Sequence, residues 1–252
     1  GLDAVGTSGD RVRFTSSSST PAAGDWPGVY LYDAAVTTVQ FATIEYATTG
    51  ISVGGNADPE ITDCRISDSS SVGVAFGSVR PTSGDDPARF ARNTITAGLS
   101  YPISTWFDRA NRVDASNVLT GNADDYVYVY ASTNSGVLQD DTTLQALDVP
   151  WILGSYTPYV DAALTIESGA EVRTSALVVG YYYPASLDVE AGATVELSSS
   201  VIVYSGSDLT ASGTFTSQNA SPAAGDWGGI SLASGSTATI DDAEIAYAQI
   251  GV

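Results

Sequence analysis

Along this chain, apolar residues alternate with small and polar ones over short runs, and the runs are broken by Gly, Ser, Asp and Asn. Alternation of this kind is the period of a half-buried strand, and the breakers are turn residues. No stretch keeps a helical period over several turns. One run recurs. Val39-Gln-Phe-Ala-Thr-Ile44, Ile61-Thr-Asp-Cys-Arg-Ile66, Phe90-Ala-Arg-Asn-Thr-Ile95 and Val113-Asp-Ala-Ser-Asn-Val118 share a pattern, and Ile240-Asp-Asp-Ala-Glu-Ile245 joins them. Each has a large apolar residue, then a small or polar one, then a second apolar one. Successive copies lie roughly 22, 29 and 23 residues apart, within the range of solenoid coils.

So short a strand set cannot bury its own apolar face, but stacking the sets piles equivalent residues into a continuous core. The pattern predicts one column of Val39, Ile61, Phe90 and Val113, and a second of Ile44, Ile66, Ile95 and Val118. A third column, of small residues beside a tight bend, takes Ala42, Cys64, Asn93 and Ser116. Cys64 is read there as a core filler rather than a reactive thiol. Later, Leu164-Thr-Ile-Glu-Ser-Gly-Ala-Glu-Val172 matches Leu187-Asp-Val-Glu-Ala-Gly-Ala-Thr-Val195. The expected fold is an all-β parallel β-helix of about 10–12 coils spaced at ~4.8 Å, continuous over residues 1–252. The regions 77–90 and 119–158 fit the coil pattern less well.

A longer period lies over the short one. Residues 14–51 recur at 215–252 without a gap, at an offset of about 201 residues. Both copies contain Pro-Ala-Ala-Gly-Asp-Trp, ending at Trp26 and Trp227. Gly24, Asp25 and Trp26, with Gly225, Asp226 and Trp227, are therefore read as structural turns. Each Asp should hydrogen-bond its own turn, and each Trp should pack over the stack. One long repeat plus the start of another points to a segment of something longer, with end-to-end stacking of like ends as one way to continue it. The absence of Met and of a leader-like start agrees with an excerpted or processed chain.

These elements resemble the secreted right-handed parallel β-helix repeat proteins of bacteria and archaea. The Gly-Asp-Trp element, the Ala-x-Ile-x-Tyr-Ala run at 42–47 and 243–248 and the Leu-x-Ile/Val-Glu-x-Gly-Ala-x-Val motif carry the likeness. It implies a right-handed coil and an extracellular or cell-surface location. It leaves function open, since the fold carries enzymes, adhesins and spacers alike.

Charge narrows the partners. There are 9 basic residues, all Arg, against 29 acidic ones, giving −20. Such a surface repels nucleic acid and anionic lipid, and no apolar run is long enough to insert into a membrane. Asp-rich, Lys-free composition fits a protein adapted to high salt, or equally an acidic secreted protein from a GC-rich genome.

The chain has no His, which removes His-based triads and His-rich metal sites. Relative to the polygalacturonase-like branch of the superfamily, the Gly-His-Gly and Arg-Ile-Lys elements are missing. Calcium is the one cofactor considered. Asp85, Asp86, Asp124, Asp125, Asp140 and Asp141 are its candidate ligands, with solvated turns as the alternative reading. Asp85 and Asp86 with Arg89 or Arg92 as base would be the core of a calcium-dependent polysaccharide lyase. Tyr126, Tyr128 and Tyr130, placed on one strand face, are candidate glycan contacts, and Tyr181-Tyr-Tyr183 is a second aromatic cluster. The leading expectation is a non-catalytic surface segment: an adhesin, stalk or filament repeat. Glycan binding and lyase activity are the alternatives.

Overall fold

Between the strands Thr38–Gln40 and Ala42–Glu45 the chain turns on a single residue, Phe41, with φ of 48°. Asp63 (57°) and Arg92 (58°) make the same turn in the next two coils. A second bend uses Tyr46, Asp68 and Ala97, again left-handed. Left-handed backbone costs an L-residue about 1–2 kcal/mol. Bonds between coils hold it: Phe41 N–H donates to Thr62 O and Asp63 N–H to Ala91 O, each at 3.2 Å. A one-residue bend keeps the chain in its layer, so each strand pairs with its equivalent one coil away.

The computed structural model describes residues 2–32, 37–55, 57–77, 89–130, 137–154 and 157–252. They fall into two compact units, Gly1–Tyr128 with Leu147–Val149, and Val129–Ala146 with Pro150–Val252. Both are stacks of parallel coils.

In the first unit, one sheet holds Asp3–Val5, Thr38–Gln40, Glu60–Thr62 and Phe90–Ala91. A second holds Val12–Phe14, Ala42–Glu45, Arg65–Ser67 and Thr94–Thr96. A third contains Val29–Tyr32, Ile51–Gly54, Val74–Phe76 and Ile103–Trp106. These strand pairings are parallel and in the register the pattern demands: Val39 pairs with Ile61, Ile61 with Phe90, Ile44 with Ile66 and Ile66 with Ile95. These column residues are buried to 1 % exposure or less. A 3-10 turn, Phe107–Arg112, follows the strand ending at Trp106.

The next coil departs from the predicted register by one residue. Val118 bridges to Thr94, not Ile95, and is 47 % exposed, while Leu119 is fully buried. Asn117, not Ser116, extends the small-residue column. Ser116 lies exposed at the surface. One extra residue in the turn after Val113 explains both, because a one-residue shift moves a strand's inward set to the other face.

The second unit repeats the scheme in five coils. Its sheets are built on Val137–Leu138, Tyr159–Val160, Leu177–Val179, Ser200–Val203 and Gly229–Leu232; on Thr142–Leu144, Ala163–Ile166, Ser186–Val189, Asp208–Ala211 and Thr237–Ile240; and on Trp151–Gly154, Glu171–Thr174, Thr194–Leu197, Thr214–Ser217 and Glu244–Ile245. Leu164 pairs with Leu187 and Val172 with Val195, the alignment read from the repeated motif. The 119–158 region also contributes a coil. Its strands at 137–138 and 142–144 are short, but Val137 pairs with Tyr159 and Thr142 with Leu164 in parallel register. Among the described residues no helix is long and apolar enough to cross a membrane.

Candidate functional site

The Gly-Asp-Trp turn is built twice with the same bonds. Asp25 Oδ2 accepts from Ser16 Oγ at 2.5 Å and from Ala22 N–H at 3.0 Å. Asp226 Oδ2 accepts from Ser217 Oγ at 2.7 Å and from Ala223 N–H at 2.9 Å. The Ser16 hydroxyl and then the Ala22 amide hold the Asp25 carboxyl below its ordinary 3.8. At Asp226 the Ala223 amide leads and the Ser217 hydroxyl follows. Trp26 Nε1 donates to Glu45 O at 2.8 Å, and Trp227 Nε1 to Ala246 O at 2.7 Å. Both Trp residues bridge to the following coil, at Ala47 and Ala248. The next turn needs Gly28 and Gly229: an added Cβ would sit 1.7 Å from Thr49 O and 1.6 Å from Ile250 O. Every element of this motif therefore serves architecture.

The proposed calcium ligands sit in turns. Asp125 caps its own loop, Oδ2 accepting from Gly121 N–H at 3.1 Å and Oδ1 from Asn122 N–H at 2.8 Å. Asp124 offers its backbone oxygen to Tyr126 N–H. Asp141 Oδ1 accepts from Ala163 N–H at 3.0 Å, and the Asp140 carbonyl accepts from Thr142 Oγ1. Asp85 and Asp86 lie outside the described residues. Among the described residues no group of three or more His, Cys, Asp or Glu is arranged to hold a metal.

The two lyase arginines are ion-paired. Arg92 makes a bidentate pair with Asp63, at 3.0 and 2.8 Å. That carboxylate raises the Arg92 pKa, and Arg92 in turn lowers that of Asp63. A base must give up its proton readily, so the shift runs against that role. Arg89 donates to Asp58 O at 2.6 Å and lies 3.5 Å from Asp58 Oδ1. Asp58 also pairs with Arg112, which is buried, donates to Pro59 O and sits 5.8 Å above the Phe76 ring centroid.

Tyr126 and Tyr128 both stack on Tyr101, with centroids 5.3 and 5.4 Å apart and ring planes within 28°. One face of Tyr126 and one of Tyr128 is thus occupied by a ring that the alternation pattern could not nominate. Tyr130 closes the same strand, Val127–Tyr130, in which buried and half-buried residues alternate.

The side chains that pattern reading missed are amides. Asn93 Nδ2 donates to Ile61 O and to Asn117 Oδ1, and its Oδ1 accepts from Cys64 N–H. Asn117 Nδ2 donates to Phe90 O, one coil on. Asn122 does the same at the second bend, donating to Ile95 O and accepting from Gly98 N–H. Only the placement of an Asn in a predicted buried column signalled this. Cys64 is 1 % exposed, its Sγ within 3.3 Å of Val39 O and Thr62 O, and burial pushes its thiol up to about 11. In the second unit, a groove of about 650 Å³ is lined by Ile152, Arg173, Thr174 and Gln218 among others. Arg173 there pairs with Glu196 at 2.8 Å.

Coils of three parallel strands, stacked in register around an aliphatic core, make this protein a parallel β-helix solenoid. Residues 4–145, more than half of the chain, match the model of the right-handed β-helix region. The chain belongs to that family. No curated protein and no solved structure matches it.

Proposed function

We propose that this chain is a non-catalytic structural segment displayed outside the cell, as a repeat of an adhesin, stalk or filament. The observation that carries the reading is the bond-for-bond recurrence of the turn at 16–26 in the turn at 217–227. The same serine, backbone amide, carboxylate and indole are reused to brace a coil. A reacting site needs a unique constellation, whereas a repeated brace maintains a period. Carboxylates elsewhere also serve the coils, as with Asp125 in its turn and Asp63 against Arg92. A surface of net charge −20 keeps such a segment soluble and repels nucleic acid.

Electron microscopy of the native material at high and low salt tests the proposal. Long uniform assemblies with a repeating axial period are the expected result, and light scattering should then show mass rising with concentration if like ends stack. A rise in unsaturated-uronate absorbance on any acidic polysaccharide would overturn it in favour of a lyase.

Glycan binding is a second reading, favoured by Tyr30 and Tyr32. They are 64 % and 69 % exposed on the outward side of a strand whose Val29 and Leu31 face the core. Rings so exposed suit a sugar face better than Tyr126 and Tyr128, which stack on Tyr101. A glycan array that stays silent with these rings intact would remove this reading.

A further inference from the structure

The second unit contains a buried carboxylate of which the architecture uses only one oxygen. Asp161 occupies the bend between Tyr159–Val160 and Ala163–Ile166 and is 8 % exposed. Its Oδ1 accepts from Tyr182 N–H at 3.2 Å. Its Oδ2 is sealed from solvent with no hydrogen-bond partner. A buried carboxylate oxygen without a partner is costly, so such a group calls for a compensating charge or donor.

Aromatic rings lie on one side of it. In the following coil the turn after Leu177–Val179 carries Tyr181, Tyr182 and Tyr183, which are 48 %, 55 % and 66 % exposed. Together with Val137, Gln139 and Asp161, Tyr182 and Tyr183 line a cleft of about 330 Å³. Neighbouring rings brace Tyr182 from behind the lining. Tyr181 meets Tyr182 at 85° with centroids 4.7 Å apart, and Tyr159 is inclined to Tyr182 by 54° at 6.0 Å.

We propose that this cleft binds an organic ammonium group, primary or quaternary, carried on a short apolar stem. Tyr182 and Tyr183 present aromatic surface to the cleft, and the face of a tyrosine ring attracts an ammonium group through its quadrupole. Asp161 supplies the counter-charge, and its Coulomb attraction does not require direct contact with the bound nitrogen. A hard metal ion is a poor match, because among the described residues no cluster of acidic side chains is arranged to hold one. The chain has no lysine, so no ammonium side chain of its own can fill the cleft. The site is independent of the architectural role proposed above.

The test is calorimetric titration of the intact chain at fixed ionic strength. Probes are tetramethylammonium chloride and Nα-acetyl-lysine methylamide, with tert-butanol and glucose as uncharged controls. Both ammonium probes should bind and both controls should not. Tighter binding of the lysine probe identifies a lysine side chain of another protein as the source of the ligand; tighter binding of tetramethylammonium identifies a small quaternary amine. Asp161→Asn should weaken ammonium binding about tenfold or more, and Tyr182→Leu several-fold. Asp161→Asn should leave the thermal midpoint unchanged or raised, because it removes an unpaired buried charge. Binding of tert-butanol or glucose equal to the ammonium probes, an unaltered affinity in Asp161→Asn, or no heat with either ammonium probe would each overturn the proposal.

Discussion

In the first unit a coil turns on one left-handed residue that carries a side chain, and buried asparagines tie the turns at Asp63 and Arg92 to the next coil. In the second unit the corner between the second and third strands of a coil is a longer turn with glycine, and glutamates do the tying there. Gly169 and Gly192 take φ of 84° and 86°, and Ala170 and Ala193 N–H close their turns on Glu167 O and Glu190 O. Glu167 Oε2 then accepts from Ala146 N–H, and Glu190 Oε2 from Ser168 N–H, each one coil back. The difference follows from depth. Asn93 and Asn117 are buried, where a charge would be penalised and an amide can both donate and accept. Glu167 and Glu190 are half-exposed, so water still solvates the charge while one oxygen braces a neighbour. One stacking geometry accepts either chemistry, provided the group matches its access to water.

The comparison breaks most severely at Asn93. Asn93→Ala leaves several buried groups unsatisfied at about 1–3 kcal/mol each, so a loss of about 3 kcal/mol or more is expected from the urea midpoint. Gly192→Ala forces a methyl group into left-handed backbone and should cost about 1–2 kcal/mol in the same measurement. Glu190→Ala removes a half-exposed brace and should cost about 1 kcal/mol. If it costs as much as Asn93→Ala, depth is not what separates the two units. Ala97→Gly relieves a left-handed residue but loosens the unfolded chain, so its net effect should stay within about 1 kcal/mol.

The smallest effect expected is a pH dependence that treats both copies of the Gly-Asp-Trp turn alike. Asp25 and Asp226 have folded pKa values below 3.8. Their contribution is therefore fully present above the unfolded value and is lost as pH falls through the folded one. Asp25→Asn and Asp226→Asn should each flatten the acid limb of the stability profile by a similar amount and leave neutral pH less affected. A flattening confined to one variant would show that the two turns are not equivalent.

The coils were legible because their signal is apolar and periodic. Val39, Ile61 and Phe90 declared a column, Leu164 and Leu187 a register, and the duplicated Gly-Asp-Trp a turn. The slip at Val118 was not legible. Val113 and Val118 keep the apolar spacing of the other coils, and nothing in that spacing reveals that the turn holds an extra residue and that Leu119 points inward. The amide ladder was hidden for the same reason, since its partners are set by register between coils rather than by neighbours in sequence. Asp161 gave no pattern at all. A lone acidic residue between two strands reads as a surface bend until burial shows otherwise. Tyr101, which stacks on Tyr126 and Tyr128, lies outside the strand that nominated them.

Cys64 gives the first unit an internal clock. It is the only thiol in the chain, it is sealed between two carbonyl oxygens, and its pKa near 11 leaves little thiolate at neutral pH. A labelling reagent can react only when the coil around it opens. The rate of modification therefore reads out how often the stack parts at its third coil, without a probe being introduced.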